Sequence, residues 1–103
     1  MAEVAREQAA EKPWLVLFHS ARSGRCRRVD AALAQILVRG RNHDTFRLYR
    51  VDVDERPELA ERFSVDQVPT LLVGEGRRMR GRLEVVKGPA RRQLAEFLAP
   101  WLR

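Results

Sequence analysis

Trp14-Leu-Val-Leu-Phe-His-Ser-Ala-Arg-Ser-Gly-Arg-Cys26 passes from strand-like to helix-like patterning within a few residues. Trp14 to Phe18 is a short unbroken apolar run, as expected of a strand buried on both faces inside a parallel or mixed sheet. Ser20 to Arg25 is polar and reads as a turn. Ser23 is placed to cap a helix, because a serine hydroxyl accepts a hydrogen bond from a free amide of the first turn. Beyond it Cys26, Val29, Leu33, Ile36 and Leu37 recur at helical spacing and form a single apolar face, and Gly40 suits the helix end. Cys26 therefore points inward or along the helix edge.

Upstream, residues 2–11 are rich in helix formers, which Lys12-Pro13 stops. Downstream, Phe46 to Val53 reads as a second buried strand, with Tyr49, Val51 and Val53 on one face and Phe46 and Leu48 on the other. Pro57 fits the first helical position, with Leu59 and Phe63 as an amphipathic pair. Val68-Pro-Thr-Leu-Leu-Val73 is a third strand, its proline placed where no ladder donor is needed. Gly74-Glu-Gly76 is a hairpin turn into a strand from Arg78 to Val86, in which Gly81 marks a bulge. Gly88-Pro89 opens a last helix, with Leu94, Phe97, Leu98 and Trp101 on one face and Pro100 at its end. This order implies an α/β fold with a parallel pair, an antiparallel pair and helices on both faces.

The 103 residues fit a single domain over 1–103. A chain that is 45% hydrophobic and 33% charged is not a disordered tail. No apolar run approaches the length of a membrane span, and Glu3, Arg6 and Glu7 interrupt any secretory signal core. One cysteine excludes an intramolecular disulfide and a cysteine metal cage, so the expected compartment is the cytoplasm, with no metal and no cofactor. The net charge of +6 permits an acidic protein, nucleic acid or anionic lipid as partner. Arg22, Arg25, Arg27 and Arg28 cluster with no acid among them, and Arg77, Arg78, Arg80 and Arg82 form a second group.

From Lys12 to Leu98 the chain resembles the thioredoxin family. Lys12-Pro-Trp-Leu-Val-Leu-Phe18 is similar to the strand entering that family's active-site loop, and Val51-Asp-Val-Asp-Glu-Arg-Pro-Glu-Leu-Ala60 to its V-N-V-D-E-N-P-E-L-A segment. Val68-Pro69-Thr70 resembles its I-P-T segment, whose proline is cis and faces the active site, and Gln93-Leu-Ala-Glu-Phe-Leu98 its last helix. The resemblance implies a thioredoxin-like fold with a central mixed four-stranded sheet flanked by helices on both faces, without the family's usual first strand.

The resemblance fails at the chemistry. Where the family carries C-G-P-C, this chain has Ser23-Gly24-Arg25-Cys26. It keeps the resolving cysteine and replaces the nucleophile with a serine, whose hydroxyl is not ionised at neutral pH without a strong base. Leu17 stands where the family often has a buried proton-transferring aspartate, and Arg25 replaces the intervening proline. Dithiol-disulfide reduction is therefore not expected. The favoured reading is a non-catalytic interaction or regulatory module that binds a protein partner. Its surface would combine the arginine-rich rim of Arg22, Ser23, Gly24, Arg25 and Arg27 with the groove at Gln67, Val68, Pro69 and Thr70.

Alternatively, Cys26 does monothiol redox chemistry through mixed or intermolecular disulfides, with His19 nearby as a base. Against this, a thiol on an apolar helix face is withheld from solvent. A third reading gives the rim an anionic ligand or nucleic acid, without a stacking platform, since Trp14, Phe18 and Tyr49 fall in expected buried strands. His43 has no partner at ligand spacing.

Overall fold

The computed structural model describes residues 12–85 and 87–102. The helix expected over 2–11 lies outside them. The elements in chain order are β1 (Trp14–His19), α1 (Gly24–Arg39), β2 (Arg47–Asp52), α2 (Pro57–Arg62), β3 (Thr70–Glu75), β4 (Arg78–Glu84) and α3 (Ala90–Leu98). They build a mixed sheet in the order β2-β1-β3-β4. β1 pairs with β2 in parallel across the α1 crossover, whereas β3 is antiparallel to both β1 and β4.

The two central strands carry the apolar runs. Leu15 and Leu17 of β1 and Leu71 and Val73 of β3 point to one face, where Val29, Leu33, Leu94 and Leu98 of α1 and α3 cover them. Phe18 and Leu72, equally buried, point to the other face, where the Phe63 ring just beyond α2 lies 5.9 Å from that of Phe18. Truncating any of the fully buried leucines to alanine would cost about 2–5 kcal/mol.

The structure corrects several sequence expectations. β2 is shorter than 46–53 and is an edge strand rather than a buried one, and Tyr49 is 51% exposed. Its aromatic and β-branched residues mark a strand, but the interspersed Arg47, Arg50 and Asp52 fit an edge position. Gly40 does end α1, as expected, with φ −79, and the left-handed conformation falls one residue later, on Arg41.

The hairpin turns at Gly76-Arg77, with Gly76 at φ +60, and Gly74 belongs to β3. β4 ends at Glu84, and its irregularity sits beside Gly81: Val73 faces Gly81 and Gly74 faces Met79, leaving Arg80 as the extra residue. Gly81 also lets the Phe97 ring of α3 approach, since a Cβ there would stand 2.9 Å from it. Trp101 anchors the end of α3 as expected, its ring edge-on to Phe46 and its Nε1–H donating to Glu75 at 3.1 Å.

Gly74 is needed for a different reason. The Trp14 ring lies across it, held by an Nε1–H donated to the Gly76 carbonyl at 2.8 Å. A Cβ at Gly74 would overlap both that ring and the Arg78 carbonyl. Gly74→Ala should therefore lower stability by about 1–3 kcal/mol, read as a drop in the urea midpoint followed by tryptophan fluorescence. An unchanged midpoint would mean that the ring is not seated there.

Candidate functional site

The site gathers at one end of the sheet because of strand register. Phe18, near the end of β1, faces Thr70 at the start of β3, and Thr70 in turn faces Glu84 at the end of β4. The loop after β1, the loop before β3 and the turn after β4 therefore emerge together. Arg25, in the first turn of α1, crosses between two of them: its Nη1 donates to the Gly88 carbonyl at 3.4 Å.

In the first of these loops Ser23 caps α1, its hydroxyl accepting from the Cys26 N–H at 3.2 Å. The Ser20 hydroxyl accepts from the Arg22 N–H at 3.2 Å and donates to Asp54 Oδ2 at 2.5 Å, which ties the loop to the segment after β2. Arg22 and Arg27 are exposed, Ser23, Gly24 and Arg25 are half-buried, and Arg27 reaches back to the Ala21 carbonyl at 3.4 Å. In the second loop the Val68–Pro69 peptide is cis. Pro69 is buried, Val68 half-buried and Gln67 exposed, and the buried Thr70 hydroxyl donates to the Gln67 carbonyl at 2.7 Å. Among the described residues no protein hydrogen bond engages the Val68 backbone.

Cys26 is only 3% exposed, and its Sγ accepts from the Ser20 N–H at 3.5 Å. It borders a cavity of about 110 Å³, which His19 also lines, so the structure brings together the thiol and the histidine that the sequence nominated. Sequence reasoning missed two further polar residues of that cavity, Asp30 and Arg50, joined at 2.9 Å. A signal for them was present. Asp30 stands one helical turn after Cys26, and Arg50 shares the face of β2 that Leu48 presents to the core. His43 touches Asp44 at 3.3 Å. Among the described residues no three His, Cys, Asp or Glu side chains group as metal ligands, and no helix is long and apolar enough to cross a membrane.

A parallel crossover feeding an antiparallel hairpin, with a helix start facing a cis proline across one sheet end, defines a thioredoxin-like protein. The comparisons agree. The Thioredoxin family profile matches residues 2–100, and the chain belongs to the thioredoxin family. It is 34% identical over 82 residues to the bifunctional thioredoxin reductase/thioredoxin of Mycobacterium leprae (strain TN), a match covering 80% of this chain but 18% of that longer protein.

Among solved structures it is similar to the germline-specific thioredoxin Deadhead of Drosophila melanogaster, with a TM-score of 0.77 and 20% identity over 98% of this chain and 91% of that one. The thioredoxin of Fasciola hepatica gives a TM-score of 0.74 and 20% identity over 97% and 90% of the two chains. At such identities the structures speak for the fold alone.

Burial makes the thiol's behaviour testable. In a rapid aromatic-disulfide titration, Cys26 of the native protein should label slowly, and at the rate of a free thiol once denatured. Immediate native labelling would show that the cavity admits reagents to Sγ.

Proposed function

We propose that this protein is a non-catalytic member of its family that docks a protein partner at the sheet end formed by Ser23–Cys26 and Gln67–Thr70. The observation that carries this reading is the role of Ser23. At the position matching the family's attacking thiolate stands a hydroxyl that already accepts the Cys26 amide as a helix cap. An alcohol in that bond supplies neither an anion nor a leaving group for disulfide exchange. Leu17, wholly buried, offers no proton-transfer group beneath Cys26. The docking surface persists without the chemistry, because the Val68 backbone is open to pair with an extended chain. A single buried thiol suits the reducing cytoplasm.

A second reading has one observation in its favour. Cys26 borders the cavity of about 110 Å³ with His19 and Arg27, so a low-molecular-weight disulfide entering there would meet the sulfur. Attack by the thiolate would form the mixed disulfide and release the other half as a thiolate. Fast native labelling of Cys26 would favour it over docking.

With dithiothreitol as electron donor, the protein should not accelerate insulin reduction above background. Ser23→Cys restores two thiols but leaves Leu17 and Arg25 in place, so its turnover should stay about 100-fold below a dithiol thioredoxin control, the usual worth of a proton-transfer group. Catalytic reduction by the unaltered protein would overturn the docking reading.

A further inference from the structure

Few of the described arginines have a carboxylate partner, and those of the site are set apart by being gathered around one helix start. Arg50 is paired with Asp30 at 2.9 Å, Arg56 with Glu58 at 2.6 Å, Arg80 with Glu75 at 3.4 Å and Arg82 with Glu84 at 3.5 Å. Arg22, Arg25, Arg27 and Arg28 have no carboxylate partner among the described residues. Two carboxylates near the rim are already engaged, Asp54 by the Ser20 hydroxyl and Asp30 by Arg50. The first turn of α1 contains no acid.

The uncompensated groups are also gathered. The guanidinium ends of Arg27 and Arg28 stand 3.5 and 3.9 Å from where a Cβ on Gly24 would lie. Arg25 extends the other way, toward Gly88. Like charges are thus held together without a counter-charge, an arrangement that self-repels unless an anion covers it.

Resting on the docking reading, we infer that the partner segment is acidic: an extended peptide whose carboxylates flank the residue docked against Val68, with Arg25 as the residue that selects for it. The Arg25 contact with Gly88 is long for a hydrogen bond and lies at an exposed site. A carboxylate offers the same guanidinium a shorter, charge-assisted and bidentate partner, so exchanging the carbonyl for the carboxylate is favourable. Backbone pairing at Val68 then sets the register, and the arginines on either side of Gly24 read the charge. An acidic peptide is favoured over a nucleic acid because the neighbouring groove presents unpaired backbone to a polypeptide.

The test titrates 15N-labelled protein with three synthetic extended peptides of one sequence, whose flanking residues are aspartate and glutamate, asparagine and glutamine, or lysine. Single-stranded DNA is a fourth ligand. The acidic peptide should shift the amides of Arg25, Val68 and Thr70, bind about tenfold tighter than the amide analogue, and lose that advantage as salt rises. Arg25→Glu should abolish the preference and transfer it to the lysine peptide. Arg25→Gln should abolish it without the transfer, which covers the case in which charge reversal unfolds the protein.

Equal binding of the acidic and amide peptides would overturn the inference while leaving groove docking intact. Absence of shifts around Val68 with every peptide would remove the docking reading itself, and the inference with it. DNA binding tighter than the acidic peptide, with the steep salt dependence of phosphate contacts, would assign the arginines to nucleic acid instead.

Discussion

The Ser23 hydroxyl accepts the Cys26 amide at 3.2 Å, which satisfies one of the free amides at the start of α1. A helix begins with amides that have no intrahelical partner, and their partial positive charge stabilises an anion placed there. Here the chain fills that position with its own neutral serine. The cap fixes the loop, the Ser20 N–H meets the sulfur of Cys26 from above, and the thiol is enclosed.

Much of this was legible in the sequence because the signals are local. The apolar run from Trp14 to Phe18, the serine cap, the heptad-like spacing from Cys26 to Leu37 and the prolines at 57 and 69 each act within a turn or a strand. What was not legible depends on neighbours. The aromatic and β-branched residues of β2 suggest a buried strand, yet it lies at the sheet edge and Tyr49 is exposed, because sheet position is a tertiary property. Gly74 looks like a turn residue, but it is a strand residue required by the Trp14 ring. Tyr49, expected from the sequence to be buried and so of no use for base stacking, is exposed, which withdraws that part of the case against a nucleic acid.

The site shows the same division. Ser23, Cys26 and the Val68-Pro69-Thr70 loop could be nominated from residue type and spacing. The pairing of Asp30 with Arg50 beside Cys26 joins a helix to a strand and becomes visible only once the crossover is folded. The same pairing withdraws a carboxylate that lies close to the rim arginines. Charge at the rim is thus set partly by an ion pair on the neighbouring face of α1.

Arg82 couples distant parts of the fold. From β4 its Nη1 donates to the Phe63 carbonyl at 2.9 Å and its Nη2 to the Ser64 carbonyl, closing the C-terminal end of α2, where Ser64 takes a positive φ of 55. Phe63, held by that clamp, is the residue whose ring covers Phe18. Opening of the edge strand β4 is therefore coupled to that helix end. Detaching β4 strips two acceptors of their donor and loosens the helix end that holds the Phe63 ring over Phe18, which links the edge of the sheet to the packing of its far face.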